Sequence, residues 1–170
     1  MVEIKFLLTR DVKRPRKAYT TDAGIDFFVP EFDLEFINDL TKLNKRLSIV
    51  TDDDGDKYIE IEAHQQILMP MGLKSIIPKG WCVVYHNKSG IATKKRLVVG
   101  AHVIDADYRE EWILNLQNLS DDNVHIKFGQ KIVQGLVHKV PEVKVDLISE
   151  DEFKKYLDVE RNGGFGSTGI

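Results

Sequence analysis

The chain has 170 residues, 42% of them hydrophobic and 30% charged, with a net charge of −3 and a single cysteine. That length accommodates one domain with a packed core and is short for two. The mild acidity excludes a general affinity for nucleic acid or membrane, and a lone Cys82 excludes a disulfide framework or a thiolate metal cluster. With no signal pattern and no long apolar span, the chain is expected to be soluble and cytoplasmic.

Residues 2–8 alternate apolar with polar side chains at their start and predict a strand. Ala23-Gly24-Ile25-Asp26 then offers one carboxylate after a glycine, suited to holding a metal through water. From Phe32 to about Leu47, apolar residues at Leu34, Ile37, Leu40 and Leu43 recur near a helical period and run into the acidic turn Asp52-Asp53-Asp54-Gly55-Asp56. This turn lacks the spaced ligands of a calcium loop and reads as the tip of a solvated hairpin. Residues 57–62 alternate as a strand. Residues 72–77 form another, ended by Pro78-Lys79-Gly80, and residues 81–85 follow as a strand holding Cys82 as a buried structural thiol.

Lys88-Ser89-Gly90 places a cation, a hydroxyl and a glycine where a strand runs into a short turn or helix, whose N–H groups suit phosphate oxygens. Residues 96–99 predict a further strand. Within Gly100-Ala101-His102-Val103-Ile104-Asp105-Ala106-Asp107-Tyr108-Arg109 a hairpin carries two carboxylates two residues apart. They share one face of a strand, or one stands at the tip and one turns back; either arrangement suits a base that orients water. Asp107 also reads as a turn residue satisfying backbone N–H groups.

Residues 112–116, 124–128, 132–140 and 143–148 predict the remaining strands, and Ser149 the N-cap of a short helix through Leu157. Many short strands at close spacing argue for an all-β sandwich or jelly roll. The tail, residues 161–170, sets Arg161, Phe165, Ser167 and Thr168 among four glycines, Gly166 included. Charge for phosphate, hydroxyls and N–H groups for its oxygens and a ring for a base are what a flexible strap closing over a nucleotide needs.

The order of these pieces resembles the homotrimeric dUTPase family. Ala23-Gly24-Ile25-Asp26, Lys88-Ser89-Gly90, the run from Val103 to Arg109, Gly129-Gln130-Lys131-Ile132-Val133-Gln134, and Arg161 with the Gly163–Gly169 tail match its motifs in sequence. The resemblance implies a jelly-roll-like β-barrel over residues 1–157, interrupted by an inserted helix and hairpin at about 32–61. It also implies a C-terminal arm, 158–170, that closes a site built by neighbouring subunits of a trimer. Asp105 would activate water for attack on the α-phosphorus of dUTP, releasing pyrophosphate and dUMP. Asp26 would hold Mg2+ through water. Lys88, Ser89, Gly90 and Gln134 would contact phosphate, and Tyr108 would pack on the deoxyribose. The backbone of His102, Val103 and Ile104 would read uracil. Phe165 and Gly166 would cover the base, and Arg161, Ser167 and Thr168 would take the γ-phosphate.

Three positions depart from the family pattern. Lys88 replaces an Arg and loses its planar fork. His102 replaces a Gly, and the tail between Arg161 and Phe165 is one residue short. Two other functions stay open: a dCTP deaminase, which would place a glutamate on the strand after the hairpin where residues 112–118 hold no acid, and a nucleotide-sensing protein that docks a regulatory partner through the insertion. Exposure of Leu34, Ile37, Leu40 and Leu43 together would favour docking, and burial of that stripe would remove the argument.

Overall fold

The structure, a computed structural model, describes residues 2–156. It divides into two compact units, with the boundary between Val140 and Pro141. The first is built almost wholly of short antiparallel strands in four sheets. The strands β1 (Lys5–Leu8) and β6 (Leu73–Ile76) make a pair, and β5 (Gln66–Pro70) flanks β10 (Ile113–Asn118) with β8 (Leu97–Val99) on its other side. A third sheet has the order β11-β4-β3, from Val124–Lys127, Lys57–Ile61 and Ser48–Thr51. The fourth has the order β2-β12-β7-β9, from Ile25–Phe28, Lys131–Lys139, Trp81–Asn87 and Val103–Ile104. The all-β expectation holds, although the strand pairing forms separate small sheets and no continuous closed barrel among the described residues.

The sheets enclose an aromatic cluster. Phe27 lies 5.4 Å from both Tyr85 and Trp112, and Phe6 lies 5.5 Å from Trp112, mostly edge-to-face, the arrangement ring quadrupoles favour. Two of these rings neighbour a residue of interest in sequence: Asp26 precedes Phe27, and Glu111 precedes Trp112.

The segment expected as an insertion, about 32–61, packs into the core. Its helix α1 (Leu34–Leu43) is capped by Asp33, whose carboxylate accepts from Phe36 N–H at 2.7 Å. Phe36, Leu40, Ile59 and Ile61 are all fully buried in the main core. Of the four apolar positions read from the helical period, Leu40 is buried and Ile37 packs on the core, while Leu34 and Leu43 are exposed. The contiguous docking stripe therefore does not exist, and the helix turns its apolar face inward around Phe36 and Leu40. The acidic turn is a hairpin tip, with Asp52 accepting from the N–H groups of Asp54 and Asp56 and Gly55 in the left-handed region at φ +86°.

Between β7 and β8, helix α2 (Ser89–Lys95) begins at Lys88. In the second unit Ser149 caps α3 (Glu150–Lys154), accepting from Glu152 N–H at 3.2 Å. The strand expected over residues 143–148 is not formed: no strand pairs with it among the described residues, and Val143, Val145 and Leu147 are 70%, 85% and 94% exposed.

Candidate active site

The register of the fourth sheet gathers three of the expected residues. Gln134 on β12 lies opposite Asp26 on β2 and His86 on β7, one residue before Asn87, and Lys88 follows at the start of α2. The backbone of Asp26 is fixed further by paired hydrogen bonds with Arg16, at 2.8 and 3.2 Å. Its side chain is only 6% exposed, and each carboxylate oxygen meets an ammonium group: Lys88 Nζ at 2.5 Å and Lys131 Nζ at 2.7 Å. Burial alone would raise this carboxyl; the hydrogen bonds from Lys131 and Lys88 outweigh it and hold it below the ordinary value of 3.8. Two ammonium groups around one carboxylate leave a surplus positive charge, partly open to solvent through Lys131.

Gln134 is held beside this corner by donating to the carbonyl of Asn87 at 2.9 Å. Gly24 makes the fit possible, since a side chain there would meet Gln134 Oε1 at 2.5 Å. Ser89 and Gly90 are exposed in the first turn of α2, where N–H groups lack intrahelical partners.

The second cluster is a pocket of about 490 Å³ lined by Ala101, His102, Val103, Ile104, Asp105, Tyr108 and Ile113. The hairpin around it is anchored through β9, where Ile104 pairs with Val83 and Val103 with Val84. The His102 carbonyl accepts from Tyr85 N–H at 2.8 Å. His102 adopts an ordinary backbone conformation, as only His64 and Arg96 among the described non-glycine residues have positive φ. Its ring turns back to the Gly100 carbonyl, with Nδ1 at 2.7 Å. The hairpin's tight approach falls instead at Gly100, where a Cβ would lie 1.8 Å from the buried Asn115 Oδ1, an atom that accepts from Ala101 N–H at 3.0 Å.

Asp105 is exposed, and its backbone carbonyl accepts from Tyr108 N–H at 3.2 Å, closing a turn. Tyr108 is 36% exposed and donates its hydroxyl to the Glu111 carbonyl at 3.1 Å. Burial, reinforced by the Asp105 charge, pushes the Cys82 thiol above its ordinary 9.0, in keeping with an inert structural cysteine.

The expected residues therefore fall into two clusters. Both touch β7, the hairpin at Val83 and Val84 and the corner at His86 and Asn87, yet the pocket lining contains no residue of the Asp26 corner. Arg161, Phe165, Gly166, Ser167 and Thr168 lie outside the described residues. Lys131 is the participant that sequence reasoning missed. The β2–β12 register shifts between Lys131 and Val133, and this irregularity accompanies the contact of Lys131 with Asp26.

As for magnesium, both oxygens of Asp26 are occupied by lysines, and no group of three or more His, Cys, Asp or Glu side chains among the described residues could hold a metal. Direct ligation by the described residues does not fit; contact through a metal-bound water does, because one carboxylate suffices for it and magnesium retains its hydration shell.

Comparison with known proteins bears on what the two clusters serve. The family model of dUTPase matches residues 55–169. A deoxyuridine 5'-triphosphate nucleotidohydrolase of Arabidopsis thaliana is 37% identical over 111 residues, 65% of this chain and 64% of that protein. Among solved structures, a dUTPase of Staphylococcus bacteriophage 80alpha with dUpNHpp superposes with a TM-score of 0.72 over 99% of both chains at 18% identity. A dUTPase from phage phi11 of S. aureus, described with a structural Mg(II) ion, gives 0.67 over 87% of this chain and 97% of its own at 16% identity. The structural likeness establishes the fold, and the sequence match, which takes in the hairpin together with Lys88, Lys131 and Gln134 of the corner, establishes more: the chain belongs to the dUTPase family.

Proposed function

We propose that the chain acts as its family's name implies, hydrolysing dUTP to dUMP and pyrophosphate, with Asp105 as general base and with each site assembled from more than one copy of the chain. The observation that carries the reading is the exposed Asp105 carboxylate at the edge of a pocket whose other wall is Tyr108. The α-phosphorus is attacked by a water whose proton passes to Asp105; the new P–O bond forms as the bond to the bridging oxygen breaks, and pyrophosphate leaves. A positioned carboxylate contributes about 10²–10⁴-fold to such a step. Tyr108 stacks on the deoxyribose, and the hairpin backbone at Val103 and Ile104 reads the uracil edge. A hydrogen-bonding slot of this kind rejects cytosine strongly, because the wrong base leaves its polar groups unpaired.

The phosphates go to the Asp26 corner. Lys88, Lys131 and Gln134 supply charge and a donor, and the free N–H groups of Ser89 and Gly90 add to them. Asp26 keeps the two ammonium groups in place before the substrate arrives, which is preorganisation in the electrostatic sense. Magnesium, when bound with the triphosphate, would neutralise and orient the phosphate oxygens, with Asp26 facing its hydration shell. Arg161, Phe165, Gly166, Ser167 and Thr168 then cover the nucleotide from the tail.

Separation of the two clusters within one chain supports a trimer in which the hairpin of one copy faces the corner of another. Among the described residues Val143, Val145 and Leu147 stand exposed, and a neighbouring copy is one surface that would cover them. The test is pyrophosphate release from dUTP, dTTP, dCTP and UTP with magnesium, for wild type and Asp105→Asn. Selective dUTP turnover lost in the variant is the expected result; ammonia release from dCTP, or full activity in the variant, would contradict it.

A further inference from the structure

Arg10 is the most heavily engaged cation in the described chain, and nothing in the reaction as described uses it. Its side chain is 6% exposed. Nε donates to Glu111 Oε1 at 2.8 Å and Nη2 to Glu111 Oε2 at 3.0 Å, a two-pronged grip that a lysine could not make. Nη2 also donates to Asp39 Oδ2 at 2.5 Å, Glu35 lies 3.9 Å from Nη1, and the Phe36 ring lies 6.0 Å beneath the guanidinium. Glu35, Phe36 and Asp39 all belong to the inserted helix α1. On the other side, Glu111 Oε1 also accepts from Gly72 N–H at 2.7 Å, and the Glu111 carbonyl accepts the Tyr108 hydroxyl. The far end of the connection between β9 and β10 that carries Asp105 and Tyr108 is thus held at Glu111 by Arg10, itself gripped by the insertion, and by Gly72 N–H, next to the backbone bonds of Trp112 with Leu73 and Met71.

We infer that Arg10 and Asp39 are positioning residues for nucleotide binding: through Glu111 they hold the Asp105–Tyr108 connection in place, so that the insertion acts as a buttress of the active site. The inference rests on the proposed role of Tyr108 against the deoxyribose. The pairing is well suited to setting geometry, since a buried bidentate ion pair contributes orientation more reliably than net stability. Asp39 is half-buried and sits far along the chain from the pocket, so its loss leaves Asp105 and Tyr108 chemically intact.

The experiment takes full-length Asp39→Asn and Arg10→Lys, with Leu34→Ser on the same helix as a control that avoids the network. Two readouts are measured: dUTP and UTP kinetics, and amide hydrogen exchange of the nucleotide-free protein. The expected result is a KM for dUTP raised about three- to tenfold with kcat changed less than about twofold, and a reduced preference for dUTP over UTP. Exchange should rise in residues 105–111 and not in β7 or β12, while the control matches wild type. Unchanged KM with exchange altered only in α1 would overturn the inference, as would a rise spread over the whole of the first unit. If wild type fails to hydrolyse dUTP, the functional reading falls, and exchange at 105–111 still decides whether the buttress exists.

Discussion

At Asp26 a carboxylate is buried and met on both oxygens by ammonium groups; at Asp105 the same group stands in solvent, beside a pocket, with only its backbone carbonyl engaged by Tyr108 N–H among the described residues. A charge compensated by its own chain organises its neighbours and is a poor proton acceptor, since protonation would break two ion pairs. An uncompensated, accessible carboxylate is free to take a proton. On the proposed reading the two clusters divide the work of a phosphoryl reaction between electrostatic preorganisation and base chemistry, and the difference can be put to experiment.

The sharpest contrast is between Asp105→Asn and Asp26→Asn. The first should lose about 10²–10⁴-fold in turnover while its thermal midpoint stays within about 1 °C of wild type, because no fixed partner is lost. The second should lose about 10²-fold in turnover through misplaced lysines, and about 1–3 kcal/mol of stability in urea unfolding. The lower end of that stability range reflects Lys131, which can return to solvent. Equal stability losses in the two variants would erase the distinction drawn here.

Both clusters also depend on a glycine that admits a polar side chain, and the two should respond unequally. Gly100→Ala drives a Cβ to 1.8 Å from Asn115 Oδ1, in a side chain that is buried and bonded to Ala101 N–H and the Ile67 carbonyl. A cost of about 1–3 kcal/mol and a raised KM for dUTP are expected. At Gly24 the obstructing atom is the outer end of Gln134, which can swing aside, so less than about 1 kcal/mol is expected, with the effect falling on phosphate affinity. Chemical denaturation of both variants checks the order.

The smallest effect is in pH. The folded-state carboxyl of Asp26 lies below 3.8, so its ion pairs contribute fully above that value and their contribution disappears as pH falls through the lowered one. Asp39, held down chiefly by its hydrogen bond from Arg10, acts in the same direction. Stability measured from about pH 5 to pH 3 should therefore drop more steeply in wild type than in Asp26→Asn. Parallel curves would mean that the corner is not linked to folding.

How much of this was legible in the sequence differs between the same two regions. The hairpin was legible as a turn carrying Asp105, because Val103, Ile104, Asp105 and Tyr108 lie within one short run and local turn chemistry places them. The corner's Asp26, Lys88 and Gln134 were named one by one or through the family resemblance, but their meeting was not legible, because it depends on register: they come together only once β2, β12 and β7 are aligned, and Lys131 lies at an irregularity that leaves no compositional mark. The strand β2 was missed because Phe27 and Phe28 are both buried, which removes the alternation that signals a half-exposed strand. In α1 the period was found but the face was misread. Asp33 starts the helix at Leu34, which turns outward, and Phe36 with Leu40 forms the buried ridge. Residues 143–148 have a strand pattern with no partner strand among the described residues.

The central claim is that one active site needs the corner of one copy and the hairpin of another, and mixing tests it most directly. Asp26→Asn and Asp105→Asn chains, each nearly inactive alone, are denatured together in equal amounts, refolded and assayed with dUTP. If sites form between copies, random assembly pairs an intact hairpin with an intact corner in about a quarter of them, and about a quarter of wild-type turnover returns. If each chain holds a whole site, every site carries one lesion, and the mixture stays as inactive as its parts.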